Sequence, residues 1–402
     1  MWRDLEFTKL WSGSLLSAAG TAITGLAMPL IAVGLGATPA QMGVLGASGT
    51  AAFIVFGLAA GVIVDRAPRR SVLMLTSAGS AVVVATVPLA HLLGLLRIEQ
   101  LYAVEFVAGS LALVDQTAFQ AILPRLVGRE RLLESITLVR SSDSVTAVAG
   151  PSIAGVLVQV LGAPVAILVD AASYLLQTVL TFLVRVTEPA APERAPGRRV
   201  WHDVVEGLRY VLAEPSLRFL ALGGATHNVC SNGAIVALYV LYMSQRLSLS
   251  PVEIGLVFAA GGPSALLGSV LAGRWGRRFG MRGALSQAQV LTGIARGFVP
   301  LASFVPSPLL ALVAGELVLG IARSVFNVNQ LSMRMTLTPD HLQGRMTASI
   351  RFLMWSVVPV GALAGGFAAE RFGLVPTLVV AALGTGLSAL WFLFIPPEER
   401  AV

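Results

Sequence analysis

From Ala40 to Val64 the chain carries no Asp, Glu, Lys or Arg, and from Ser71 to Leu96 it carries none either. Between these runs lies Asp65-Arg66-Ala67-Pro68-Arg69-Arg70, one acid and three arginines in a turn with a proline. An α-helix needs about 20 apolar residues to cross the hydrocarbon core of a bilayer, and both runs exceed that. A short basic turn between two such segments reads as a cytoplasmic hairpin loop, because loops rich in Lys and Arg stay on the inner side.

Composition extends this reading to the whole chain. Of 402 residues, 55% are apolar and 12% charged, against about 25% charged in a soluble domain. The chain reads as an all-α polytopic membrane protein. The single cysteine, Cys230, excludes a disulfide framework and a cysteine-based metal site. Met1 to Lys9 lacks the layout of a cleavable signal, so the first span is expected to be retained. The net charge of +7 comes from arginines set between apolar runs. They read as orientation charges facing anionic lipid, so no nucleic-acid partner is expected.

Twelve segments are long enough to span, roughly residues 10–35, 40–64, 72–96, 101–123, 139–161, 164–184, 217–243, 254–271, 284–304, 309–333, 346–369 and 374–395. If both termini are cytoplasmic, 21 of the 28 Lys and Arg fall inside, three outside, and four (Arg140, Arg296, Arg323 and Arg351) within spans. That asymmetry supports the twelve-span reading with both ends in. Residues 187–216 hold Pro189, Pro192, Pro196 and Gly197, followed by an amphipathic stretch from Val200 to Leu212 expected to lie on the inner interface. The expected organisation is therefore a six-helix half over 1–186, a linker over 187–216 and a second six-helix half over 217–402. A shift of 208 residues lays Arg66, Arg69 and Arg70 on Arg274, Arg277 and Arg278, and Pro151 on Pro359. Halves related in this way are expected of transporters built from structural repeats.

The loop pattern G-x-x-x-D-R-x-x-R-R from Gly61 to Arg70, with twelve spans and a central linker, resembles the major facilitator superfamily. Phe7-Thr8-Lys9-Leu10-Trp11, Ala121-Ile122-Leu123-Pro124, Gly150-Pro151-Ser152-Ile153-Ala154-Gly155 and Pro339 to Arg345 are similar to its drug:proton antiporter branch with macrolide and siderophore exporters. The resemblance implies two pseudo-symmetric six-helix halves. It also implies that Gly61, Asp65, Arg66, Arg69 and Arg70 form an inner-side charge latch, with Gly61 allowing close packing and Asp65 accepting from an arginine or a helix end. Under the shift of 208 the second copy has Gly273 in place of the acid, so the latch is expected on one side only. Gly150, Pro151 and Gly155 resemble the antiporter signature of the fifth span and imply a gate hinge; ordinary tight helix packing is the alternative reading of the same residues.

Ionisable groups inside spans are costly and usually functional. The resemblance places the first, fourth, seventh and tenth spans around the cavity, which ranks Glu105, Asp115, Glu316 and Arg323 highest. Glu105 and Glu316 have no arginine close in sequence and are the first choices for carrying a proton, with Asp115 next. Under the same shift Asp115 falls on Arg323 and Asp143 on Arg351, which makes both candidate inter-half pairs. Asp170 reads as a structural partner on the sixth span, and His227 as interfacial.

No P-loop, H-E-x-x-H or nucleophile motif stands out, so an enzyme, direct ATP coupling and a bound metal are not expected. The expected activity is proton-coupled efflux of a hydrophobic or amphipathic small molecule by alternating access, with no cofactor and the proton gradient as energy source. The expected setting is the bacterial inner membrane, both termini cytoplasmic, as a functional monomer. Alternatives are a lysophospholipid or siderophore carrier, and a transporter-like receptor or scaffold without flux.

Overall fold

The computed structural model describes residues 4–57, 60–128, 130–186 and 200–396; the first part of the expected linker, 187–199, lies outside them. Among the described residues every regular element is helical. The first half of the sequence gives α1 (Leu5–Gly34), α2 (Pro39–Phe56), α3 (Ala60–Arg66), α4 (Arg69–Leu92), α5 (Ile98–Val127), α6 (Leu132–Leu161) and α7 (Ala163–Phe182). The second gives α8 (Val200–Ala213), α9 (Pro215–His227), α10 (Val236–Leu241), α11 (Pro251–Leu301), α12 (Pro308–Leu337), α13 (Gln343–Trp355), α14 (Val358–Phe372), α15 (Leu374–Leu387) and α16 (Ala389–Phe392).

Ten helices among the described residues are long and apolar enough to cross a membrane. The difference from twelve has two causes. The eighth and ninth spans run together as α11, which turns at Gly280, where φ is +70° and ψ 164°. That left-handed backbone suits glycine. The seventh span is broken: wide π-type turns at Asn228–Ile235 and Tyr242–Arg246 flank α10. Such turns inside helices often mark functional positions. The second span is also divided, into α2 and α3. Leu75, Leu92, Val160 and Leu310 stay more than two-thirds exposed, as a lipid-facing surface requires.

The chain forms two compact units. The first comprises Met1–Ala37, Ser48–Arg194 and Ser250–Ala259; the second comprises Thr38–Ala47, Ala195–Leu249 and Ala260–Val402. In the first, α1 and α4 pack on α7 and α4 on α5, around Leu73, Ala118 and Ile122, all fully buried. The second is centred on Leu217, Leu220, Met346, Ile350 and Phe392. The amphipathic helix α8 packs one side against α13. Val211 is buried there, Glu206 pairs with Arg345, and the Tyr210 hydroxyl donates to Leu337 O at 2.6 Å.

Candidate functional site

Two stretches of matching sequence start two matching helices. Thr38-Pro39-Ala40-Gln41 opens α2 and Ser250-Pro251-Val252-Glu253 opens α11. Each is a capping box with proline at the first helical position, where no N–H is needed. Thr38 N–H donates to Gln41 Oε1 at 2.9 Å and Gln41 N–H to Thr38 Oγ1 at 3.3 Å. Ser250 N–H donates to Glu253 Oε2 at 2.8 Å and Glu253 N–H to Ser250 Oγ at 3.3 Å. A third donor at each end is taken by another helix: Ala40 N–H by Glu370 Oε2 at 2.9 Å, and Val252 N–H by Gln159 Oε1 at 3.3 Å.

One turn further in, both helices meet a partner through bare backbone. In the second unit α2 crosses α14, and a Cβ at Gly43 would lie 2.9 Å from Gly366 Cα and 2.6 Å from Ala362 O. In the first unit α6 crosses the start of α11, and a Cβ at Gly155 would lie 3.3 Å from Gly255 Cα and 2.6 Å from Pro251 O. Shifts of 212 residues carry Pro39, Gly43 and Gly49 to Pro251, Gly255 and Gly261. Shifts of 211 carry Glu105, Gly109, Gly155 and Gln159 to Glu316, Gly320, Gly366 and Glu370. The packing therefore sets the repeat at 211–212 residues, not 208. Asp115 then falls on Phe326 rather than Arg323, and Pro151 on Ala362 rather than Pro359. In the basic turn, Gly61 falls on Gly273 and Asp65 on Arg277, so the second copy still has no acid.

The same register pairs the two leading carboxylates. Glu105 lies against α2, where a Cβ at Gly49 would be 2.7 Å from its Oε2. Glu316 faces Gly261 at ordinary contact distance, 3.5–3.6 Å from where a Cβ would stand. Gly109 and Gly320 sit against the carbonyl oxygens of Gly49 and Gly261, which brings each helix pair close enough for this. Their electrostatic surroundings differ. Among the described residues Glu105 makes no hydrogen bond or ion pair. Glu316 accepts from Arg296 Nη1 at 3.4 Å and from the Tyr239 hydroxyl at 3.2 Å. Arg296 is in turn held by Ser231 Oγ at 3.0 Å, offered by the first π-type turn, and stands over the Tyr239 ring at 5.9 Å.

Of the other candidates, Asp115 accepts from Thr76 Oγ1 at 2.7 Å and lines a pocket of about 390 Å³ in the first unit with Ser17, Arg140, Tyr174 and Gln177. Asp143 lines it too and pairs with Arg140 at 3.6 Å. Asp170 is buried and accepts from Thr24 Oγ1 at 2.5 Å, a structural tie between α1 and α7. Arg323 and Arg351 line a second pocket, of about 210 Å³, in the second unit with His227 and Arg334; His227 is thus a pocket residue, not an interfacial one. In the basic turn, Arg70 donates from Nε to Thr181 O at 3.2 Å and from its guanidinium to Phe182 O, and stacks on the Phe182 ring. A Cβ at Gly61 would meet no atom of the described residues within 4 Å, so the close packing expected there is absent among them. Gly150 packs tightly on Ala22, 2.8 Å from where its Cβ would be, and the Pro151 carbonyl touches Gly255. The fifth-span motif is thus a packing face here.

Two parts of this arrangement are absent from the sequence reading: Arg296 as the partner of Glu316, and the repeat anchored by the capping boxes. Both had signals. Arg296 is one of only four in-span arginines, and a buried cation needs an anion. The T-P-x-Q and S-P-x-E boxes are followed two residues later by glycine in both copies.

The family model for transmembrane secretion effectors matches residues 2–400. The multidrug efflux pump Tap of Mycolicibacterium fortuitum is 26% identical over 389 residues, 95% of this chain and 94% of that protein. The enterobactin exporter EntS of Shigella boydii serotype 18 is 26% identical over 400 residues, 97% of this chain and 91% of that one. Among solved structures, a point mutant of the nucleoside transporter NupG matches with a TM-score of 0.80 at 12% identity, covering 98% of this chain and 100% of that one. A bacterial homologue of the iron transporter ferroportin matches at 0.76 and 17%, covering 96% and 98%. With this fold, these helix crossings and a family match over nearly its whole length, the chain belongs to the transmembrane secretion effectors of the major facilitator superfamily.

Proposed function

We propose that this multi-pass membrane protein exports an amphipathic small molecule against proton entry, and that Glu105 carries the proton. Its relatives by sequence are named as efflux proteins, which supports outward transport. The observation that carries the coupling step is the contrast between the two equivalent glutamates. Glu316 already has Arg296 as counter-charge, so protonating it would break an ion pair. Glu105 sits against a glycine with no partner among the described residues, so protonation there removes an uncompensated charge from an apolar setting. The setting we assign is the bacterial inner membrane with both termini cytoplasmic, as a monomer without a cofactor. The Gly61–Arg70 turn serves as the inner latch.

The test is a substrate panel in proteoliposomes with an imposed pH gradient, wild type against Glu105→Gln. Accumulation that follows the gradient in the wild type and is indifferent to it in the variant supports the proposal. Flux independent of the gradient for every substrate defeats antiport.

A further inference from the structure

One pocket in the second unit has an unusual charge balance. Arg323, Asn327, Gln330 and Arg334 line it from one stripe of α12, and Arg351 joins them from α13. None of its lining residues is Asp or Glu. The nearest acid along α12, Glu316, is two turns from Arg323, roughly 10 Å along the axis, and is engaged by Arg296.

Arg334 is 6% exposed, and among the described residues its one hydrogen bond is from Nη1 to Gln330 Oε1 at 3.3 Å. Its Nε is buried without a partner, and so is Nδ1 of His227 in the same wall. Among the described residues neither Arg323 nor Arg334 has an ion pair. Arginine does not deprotonate in proteins, and its fork of donors matches carboxylate and phosphate oxygens. A guanidinium buried with no acid beside it is costly unless something brings in negative charge; Arg334 is in that position, and Arg323 is exposed to the same space. At about 210 Å³ the pocket is smaller than the roughly 300 Å³ lower bound for a drug-sized ligand, so it takes one end of a molecule. Phe326, Met354 and Trp355 line the same space and supply apolar and aromatic surface for the adjoining part of that molecule.

We propose that this pocket is an anion subsite that receives the carboxylate or phosphate of an aromatic or amphipathic molecule, with Arg323, Arg334 and Arg351 as its cationic wall. That the anion is cargo rests on the exporter reading above; that it binds does not. The site narrows the substrate class from hydrophobic or amphipathic molecules to those with an anionic end.

The experiment uses the full chain in nonionic detergent and monitors thermal unfolding with 2-naphthoate, its neutral amide 2-naphthamide, and phosphatidylglycerol against phosphatidylcholine. Saturable stabilisation by naphthoate and not by naphthamide, weakened about tenfold by Arg323→Gln and by Arg334→Gln, is the expected result; tenfold in Kd is about 1.4 kcal/mol. If Arg334→Gln does not fold, Arg323→Gln and Arg351→Gln carry the test. Stabilisation by phosphatidylglycerol alone, lost in the same variants, supports the anion site with a lipid headgroup as its source. Equal effects of naphthoate and naphthamide, or naphthoate binding untouched in every variant, overturn it. The proteoliposome arm separates the two readings. Export that ignores the anionic group defeats the anion as cargo and leaves the exporter standing. Anion binding with no export of any panel compound defeats the exporter and leaves the site.

Discussion

A Cβ on Gly49 would stand 2.7 Å from Oε2 of Glu105, so the carboxylate occupies the space that a side chain on α2 would fill. The equivalent distance from Gly261 to Glu316 Oε2 is 3.6 Å, which an alanine fills without displacing anything. Gly49→Ala should therefore push the Glu105 carboxylate out of place with little loss of stability, because the atom it meets is the far end of a flexible side chain. Gradient-driven export should fall about tenfold, the equivalent of 1.4 kcal/mol on a rate. Gly261→Ala should stay within about twofold. Transport assays at matched protein level separate the two.

Arg296 and Glu316 have side chains 7% and 11% exposed. Removing one partner leaves the other charge buried and uncompensated, which costs about 3–5 kcal/mol. Arg296→Gln should lower the thermal midpoint in detergent markedly, and adding Glu316→Gln to it should recover much of the loss. A double variant no more stable than Arg296→Gln alone would show that the pair carries none of this stability.

Glu105→Gln removes a proton carrier but keeps the shape. It should retain downhill flux and lose the response to an imposed pH gradient, whereas Glu316→Gln should chiefly lower stability. The readout is uptake into vesicles with and without the gradient. If Glu105→Gln still concentrates substrate, the proton is carried elsewhere.

The glycine crossings predict a sharper contrast. Side chains at Gly43 and Gly255 would run into the backbones of α14 and α6, at Ala362 O and Pro151 O. Backbone yields less readily than a flexible side chain, so Gly43→Val and Gly255→Val should each cost about 3 kcal/mol or more, at the upper end of overpacking. Gly61→Val, with open space around it, should cost less than about 0.5 kcal/mol, as most surface substitutions do. Monodisperse yield and thermal midpoint of the three variants, measured side by side, decide this.

The apolar spans and the family were legible because each is written in runs of many residues, where errors of one or two do not matter. The repeat was legible only in outline. Basic turns align equally well at several offsets, and 208 matched three arginines while the helices pack at 211–212. Register lives in the few residues that touch, and the informative ones were the capping boxes and the glycines behind them. The Arg296–Glu316 pair joins α11 to α12 across the turn between them, and no local pattern in either helix names its partner. The α12 stripe from Arg323 to Arg334 could be read from its spacing, but its lack of an acid becomes visible only when α13 closes the pocket beside it. The break in the seventh span has only a weak signal: Asn228, Ser231, Asn232 and Gly233 fall within eight residues, but small and polar residues are also common where regular membrane helices pack.

The crossings of Gly43 on Gly366 and of Gly155 on Gly255 consist almost wholly of main chain. Ordering a long side chain costs up to about 2 kcal/mol in lost rotamer freedom, and glycine has none to lose. A joint made in this way forms and parts without freezing or freeing any side chain, so its two states differ little in entropy. In the export cycle proposed above, such surfaces serve as low-friction bearings, and the free energy that decides which state prevails is left to the charges and the cargo.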